Sequence, residues 1–283
     1  MMNVLVTGSN GQLGNCIKAI EKQYDNLNII YTDYQELDIC DLSQVEAFFK
    51  ANPSFDYCIN CAAYTAVDKA ETEVDKAFQI NALGPKNLAL VCKENDTILI
   101  QISTDFVFDG QKTDPYTESD IPKPISVYGA SKLKGEAEIQ EILEHHFIIR
   151  TSWLYSEHGA NFMKTMLRLA ETRDEISVVS DQIGSPTYAG DLADLILQIT
   201  SSNTKSFGLY HYSNEGAVSW YDFAKAIFES HNLPVSLIPI LSHQYPVAAN
   251  RPKSSVLDTE KAEKEFNIHP PNWQISLKKL IEN

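Results

Sequence analysis

Short apolar runs and longer amphipathic segments alternate along the first half of the chain. Residues 4–7, 28–31, 57–60, 98–102 and 147–150 are brief stretches rich in Val, Ile and Leu, bounded by polar turns. Runs of this kind predict strands buried on both faces. Between them, residues 12–22, 43–50, 77–93 and 126–144 place their apolar side chains at helical intervals. Strand, helix-length crossover and strand in succession predict a parallel sheet. Right-handed crossovers make that sheet doubly wound, an α/β architecture of the Rossmann-like kind. After about residue 151 the rhythm loosens. Helical patterns recur at 162–171, 191–199, 220–230 and 273–281, separated by short strands and loops rich in Pro, Ser and Asn. The spacing predicts one domain over residues 1–153 and a smaller region over 154–283, with a segment near 178–200 returning to the first domain.

Composition narrows what such a chain does. Of 283 residues, 43% are hydrophobic and 22% charged, the balance of an ordinary globular protein. Asp and Glu number 38 against 23 Lys and Arg, a net charge of −15. That acid surplus excludes a coat for nucleic acid or anionic membrane, both of which need clustered cations. It leaves room for a local basic pocket facing one phosphorylated ligand. No apolar stretch approaches the roughly 20 residues a bilayer demands. The N-terminus has no basic leader and turns at once into a glycine loop, so the expectation is a cytoplasmic protein. The cysteines at 16, 40, 58, 61 and 92 read as small buried thiols of a reducing compartment. Cys58 and Cys61 have CxxC spacing but no second pair nearby, and the histidines form no ligand pattern, so no metal is expected.

Gly8-Ser9-Asn10-Gly11-Gln12-Leu13-Gly14 follows the first predicted strand and opens the first predicted helix. A backbone that turns sharply and approaches a pyrophosphate closely needs residues without a Cβ, and the helix start adds free N–H groups and positive potential. Strand before and helix after is the context that separates a dinucleotide loop from a structural turn. Residues 1–153 therefore read as a dinucleotide-binding domain, and 154–283 mainly as a substrate-binding region. Asp33 ends the second strand, where an acidic side chain binds adenosine ribose hydroxyls and repels a 2′-phosphate, a lean towards NADH. Asp38 and Asp41 are further acidic groups near the adenine end, with loop capping as their plainer reading.

Tyr128-Gly129-Ala130-Ser131-Lys132 sets a phenol and an ammonium four residues apart, on one helix face. A phenol with a reference pKa near ~10 is a poor acid–base group at neutral pH. A nearby cation favours the phenolate, which brings the tyrosine into range. The same lysine is suited to hydrogen-bond the nicotinamide ribose. Thr104, in Ser103-Thr104-Asp105, ends the 98–102 strand on the carboxyl edge where such sheets bind ligands, and its hydroxyl can hold a reacting carbonyl. Residues 60–65 end another strand at that edge, with small residues that let backbone approach a cofactor and Thr65 within reach of a ribose or phosphate.

Taken together, residues 8–14, 62–71, 103–110, 128–132, 150–155, 181–187 and Arg251-Pro252 closely resemble the dTDP-4-dehydrorhamnose reductase family, extended short-chain dehydrogenases of nucleotide-sugar synthesis. Phe106 stands where that family often has Tyr. The resemblance implies reduction of the 4-keto group of dTDP-4-dehydro-β-L-rhamnose by NADPH or NADH. It implies that Tyr128 donates the proton, Lys132 tunes Tyr128 and holds the ribose, and Thr104 steadies the carbonyl. It further implies Asp105 and Trp153 at the sugar, and cofactor contacts from Gly8, Gly11, Gln12, Leu13, Gly14, Asp33, Asp41, Leu42, Ala63, Tyr64 and Thr65. Arg251, in a loop before Pro252, suits bidentate contact with the nucleotide diphosphate; a surface salt bridge is its other reading. The expected partner is a nucleotide sugar, with a homodimer possible through the C-terminal region.

Two rival readings remain at this level. A sugar-nucleotide 4,6-dehydratase or epimerase resembles the same pattern, although a dehydratase has Asp-Glu after the active-site Thr, where this chain has Asp105-Phe106. The other is non-catalytic: the regulatory β subunit of methionine adenosyltransferase also resembles this family. Tyr128, Lys132, Thr104 and Trp153 together favour catalysis, since a pure binding module has no need of a proton-transfer set.

Overall fold

The structure, a computed structural model, describes residues 1–282. Its first half runs β1 (Met2–Thr7), α1 (Gln12–Ile20), β2 (Leu27–Tyr31), α2 (Leu42–Ala51), β3 (Tyr57–Asn60), α3 (Val67–Ala70), α4 (Val74–Phe78), α5 (Gly84–Glu94), β4 (Ile98–Thr104), α6 (Val127–Ile142) and β5 (His146–Thr151). Then come β6 (Leu154–Tyr155), α7 (Phe162–Ala170), β7 (Glu175–Val179), β8 (Ile183–Gly184), β9 (Thr187–Tyr188), α8 (Ala189–Ser202) and β10 (Gly208–His211). The chain closes with β11 (Val218–Ser219), α9 (Trp220–Ser230), β12 (Ser236–Ile240), α10 (Glu260–Phe266) and α11 (Trp273–Glu282). Among the described residues, no helix is long and apolar enough to cross a membrane.

Six strands form the central sheet in the order β10-β5-β4-β3-β1-β2, every pair parallel. This is the doubly wound α/β fold that the alternation of patterns predicts. Successive side chains of a strand point to opposite faces, and β1 divides its residues accordingly. Val4 and Val6 pack with Ile17 of α1 and Leu192 and Ile196 of α8. Leu5 packs with Val45, Leu88 and Ile139 of α2, α5 and α6 on the other face. A third core, built on Tyr155, Met163, Phe223 and Trp273, belongs to the second half of the chain.

Two features depart from the sequence pattern. The helix expected over 77–93 is interrupted by a π-helical turn at Gln79–Leu83 between α4 and α5. Pro85 has no N–H for the Asn81 carbonyl, and α6 passes so close to that oxygen that a Cβ on Gly135 would stand 2.1 Å from it. The second feature is the path of the chain between residues 178 and 211. β7, β8 and β9 pair with β12, β11 and β6, all in the second half. Only from Ala189 does the chain return, as α8 across one sheet face and β10 on the sheet edge. A boundary after residue 153 thus leaves out one strand and one covering helix of the sheet.

That return is fastened by aromatic packing. Phe147 of β5 is fully buried, with ring neighbours Phe207, Tyr210 and Phe266 within 5.3 to 6.3 Å, all from the second half. Phe147→Ala is expected to cost about 3–5 kcal/mol, because truncation removes buried area and leaves a cavity whose walls belong to distant segments. Urea unfolding followed by far-ultraviolet dichroism measures this; an unchanged midpoint would mean that the returning segments are held elsewhere.

Candidate active site

The strand order reverses between β1 and β3, and the crevice at their carboxyl ends is where such a sheet accepts ligands. Gly8 makes the crevice possible. It has φ +63°, and a Cβ there would stand 2.5 Å from the Ala62 backbone. Beneath the loop, Thr7 Oγ1 donates to Asn60 Oδ1 at 2.7 Å, and Asn60 Nδ2 donates to Gln101 Oε1 at 2.7 Å, tying the ends of β1 and β3 to the middle of β4 in one buried row. Gly11 is the N-cap of α1 and no side chain caps it, so the first-turn N–H groups are left for a ligand. Gly14 sits against the Ser9 backbone and lets α1 start close to the loop. Gln12 reaches across to the second half: its Oε1 accepts from Asn161 Nδ2 at 2.8 Å and Ser156 Oγ at 3.1 Å.

The other expected cofactor residues spread outwards from this point. Asp33 stands two residues past β2 and accepts from the Asn10 and Tyr34 N–H groups at 2.8 Å, so its carboxylate braces the glycine loop. Ala63 and Thr65 line the pocket beside Gly8, Gly11, Gln12 and Leu13. Tyr64 does not; it is buried, with its hydroxyl on Glu73 and its N–H on Asn81 Oδ1. Asp41 caps α2 through the N–H groups of Ser43 and Gln44, and Leu42 packs beneath the sheet. Neither lines the pocket. Capping, the plainer reading of such loop aspartates, describes what the Asp41 side chain does here.

Tyr128 and Lys132 lie on successive turns of α6. The helix starts at Ser126, whose hydroxyl accepts from Gly129 N, and Gly129 packs so tightly on the Phe106 carbonyl that a Cβ would be 2.1 Å away. This contact draws Tyr128 to the end of β4, where Thr104 stands, and sets the Phe106 ring edge-on at 5.7 Å. Thr104, Asp105, Tyr128, Lys132, Trp153 and Arg251 all face one cavity of about 620 Å³. The electrostatics differ from the expectation that the ammonium lowers the phenol. Burial pushes Tyr128 up to about 12, against a smaller pull from the Thr104 hydroxyl. Lys132 donates to the Ile102 carbonyl at 2.6 Å, and burial pushes it down to about 8 against the charge of Glu136. The phenol is thus held protonated, the form a proton donor requires.

On the substrate side, Trp153 has φ +44°, uncommon for a bulky residue. Its indole lies flat on Trp220 with centroids 3.4 Å apart and faces Gly184, where any Cβ would strike the ring. Arg251 makes a bidentate pair with Asp68 of α3, at 2.7 and 3.2 Å, and lines the cavity as well. A second cleft of about 820 Å³ shares Phe162, Trp220 and Arg251 with the first and runs on between α7 and the 242–251 loop. Asp105 is 2% exposed, and its Oδ2 has no hydrogen-bond partner.

Several wall residues had no signal in the sequence pattern. Trp220 opens α9 and reads as an ordinary core aromatic; only folding stacks it on Trp153. Thr151 ends β5 with a buried Oγ1 that has no partner and lines the cavity. Asn161 caps α7, its Oδ1 accepting from Lys164 N, and its amide also clamps Gln12. Cys16, Glu157 and His158 bring three donor atoms within 4.8 Å, a grouping invisible in the histidine spacing. Burial pushes the Cys16 thiol up to about 12, away from the thiolate a metal binds.

The family model described as the RmlD substrate binding domain matches residues 2–283. A dTDP-4-dehydrorhamnose reductase of Aggregatibacter actinomycetemcomitans is 41% identical, over 99% of this chain and 98% of that protein. A solved dTDP-4-dehydrorhamnose reductase from Clostridium acetobutylicum superposes with a TM-score of 0.94 at 42% identity, covering 99% of both chains. Another from Bacillus anthracis, in complex with NADP, gives 0.94 at 42% identity over the whole of both chains.

Asp105 yields a pH signature. Burial pushes its carboxyl up to about 6, above the ordinary 3.8, so between those values the folded chain holds a proton that the unfolded chain has released. Stability from this group is therefore lost as pH rises through that window. Asp105→Asn is expected to raise the thermal midpoint above pH 7, by at most about 3 kcal/mol in stability, with the gain vanishing near pH 4. Calorimetry across that range checks the sign; a gain that persisted at pH 4 would mean that the carboxylate charge is not its source.

Proposed function

The chain belongs to the dTDP-4-dehydrorhamnose reductase family, and from that premise we propose that it reduces the 4-keto group of dTDP-4-dehydro-β-L-rhamnose to give dTDP-L-rhamnose, with NADPH or NADH. The observation that carries this reading is the meeting of Tyr128, Thr104 and Lys132 in one cavity with an uncapped helix start.

The residues present suit a dinucleotide. Gly8 and Gly11 leave the backbone bare where a pyrophosphate approaches, and the α1 start supplies donors and positive potential. The Asp33 carboxylate would accept hydrogen bonds donated by the ribose hydroxyls. Lys132 is the group assigned to the nicotinamide ribose, and the orphan Thr151 Oγ1 is a further donor at that end. When bound, the reduced nicotinamide supplies the hydride for the sugar carbonyl carbon. Everything else is the work of side chains. The hydroxyls of Thr104 and Tyr128 hold the carbonyl oxygen, and Tyr128 gives its proton to that oxygen as negative charge develops there. Trp153 offers a flat apolar wall to the deoxysugar, and Asp105 a buried acceptor for its hydroxyls. Arg251, held by Asp68 at the join of the two clefts, is assigned to the diphosphate, which directs the nucleotide along the larger cleft. Residues 1–153 carry the cofactor contacts in this reading, and the substrate lies between the two parts, with Thr104, Asp105, Tyr128 and Trp153 from the first and Arg251 from the second. Five free cysteines accord with a reducing compartment, and we place the enzyme in the cytoplasm.

The test is spectrophotometric. Wild-type protein given NADPH or NADH and the 4-keto sugar nucleotide is expected to oxidise the cofactor. Tyr128→Phe should lower kcat by about 10²–10⁴-fold while cofactor binding, read by fluorescence, is kept. Binding of cofactor without turnover by wild type would defeat the assignment for this sugar.

A further inference from the structure

The reacting cavity has a floor, and the floor is charged. Tyr128, Lys132 and Glu136 are spaced four residues apart down one stripe of α6, and Lys132 and Glu136 are 4% and 2% exposed. Glu136 Oε1 accepts from Arg150 Nε at 2.9 Å and from Ser103 Oγ at 2.5 Å, and its Oε2 accepts from Arg150 Nη2 at 2.6 Å. Ser103 and Arg150 are register partners on β4 and β5, one step before Thr104 and Thr151 at the cavity wall. The fork therefore joins α6 to the two strand ends that carry the site.

We propose that Glu136 is a positioning residue of the reaction, whose buried carboxylate is the counter-charge that keeps the Lys132 ammonium protonated beside Tyr128. Burial by itself drives a lysine towards its neutral form, and a neutral amine would lose a donor that holds it to the Ile102 carbonyl and faces the cavity. Of the groups facing Lys132, Glu136 carries the opposing charge; the Cys61 thiol, beyond β3, is pushed up by burial and stays protonated. On the far flank, His211 of β10 lies 3.4 Å from Arg150 Nη1 and is pushed down to about 3, hence neutral. Asp105 and Tyr128 face each other on the cavity side. Stability alone gives little reason for such a pair, since a buried Arg–Glu fork is commonly no better than apolar residues of the same volume. A requirement for negative charge next to Lys132 supplies the reason.

The inference rests on Lys132 serving the reaction, so its test reads Lys132 directly as well as turnover. The first readout is the pH dependence of Lys132 acetylation by acetic anhydride, followed by peptide mass spectrometry; it needs no substrate. The second is the alkaline limb of kcat with NADPH and the 4-keto sugar. In wild type the labelling midpoint is expected at about pH 8. Glu136→Gln should lower it by about one unit, roughly fivefold more labelling at pH 7, and should draw the kcat limb down with it. Glu136→Asp, which keeps the charge but breaks the fork, should leave the midpoint near wild type. If Glu136→Gln does not fold, Glu136→Gln with Arg150→Met removes both buried charges and should show the same downward shift. An unchanged midpoint in the neutral variants, or an equal shift in Glu136→Asp, overturns the proposal and leaves Glu136 a structural partner of Arg150. A shifted midpoint in a protein that never turns over the sugar would keep the proposal and refute the assigned substrate instead.

Discussion

The close approach of two backbones, Gly8 after β1 and Ala62 after β3, is the constraint from which the site follows. A side chain at residue 8 would meet the Ala62 backbone at 2.5 Å, and the loop would have to lift away from the sheet. With glycine there, the chain turns at φ +63° directly into α1 and leaves an uncapped helix start above the crevice. The buried row Thr7–Asn60–Gln101 ties the ends of β1 and β3 to the middle of β4. β4 runs three residues beyond that row, and Thr104 at its end shares one cavity with the glycine loop.

Around that geometry the protein places charge where water cannot reach it. Asp105, Lys132, Glu136 and Arg150 are all nearly inaccessible, and each departs from what a stable core would choose. Arg150 and Glu136 satisfy one another, while Asp105 is left with an orphan oxygen and Lys132 with a single carbonyl partner. Two of the three buried side-chain atoms without a partner among the described residues, Asp105 Oδ2 and Thr151 Oγ1, stand at the wall of the cavity, where a ligand can supply the missing hydrogen bond.

The second half of the chain is not a lid laid on a finished domain. It returns α8 and β10 to the sheet, and it sends Ser156 and Asn161 to grip Gln12 of the glycine loop. Asp68 and Arg251 make a second tie across the mouth. Glycine loop and Trp153 wall are thereby tied by ion pair and amide contacts in addition to the apolar face that α8 shares with α1. Trp153 shows the same economy: its ring is set by a strained backbone and by the faces of Trp220 and Gly184.

Local rules carry much of this protein. Strand periodicity, the glycine spacing and the four-residue interval of Tyr128 and Lys132 depend on nearest neighbours along the chain, so the parallel α/β sheet, the crevice loop and the pairing of a phenol with an ammonium on one helix face were legible from residue order. The strand-end position pointed to Thr104, and family resemblance added Asp105 and Trp153, all of which stand at the cavity; it also added Leu42, which, like Asp41, stands away from it. Burial was not legible, because it is a property of what other segments cover. The expected cationic lowering of Tyr128 gives way to desolvation for that reason, and Glu136, Trp220 and Thr151 carry no local mark at all. The π-helical turn before Pro85 likewise needed α6 pressed against the Asn81 carbonyl. Residue order determined the elements and the reacting groups; tertiary structure decided their protonation and their partners, since both depend on dielectric surroundings assembled from residues scores of positions apart.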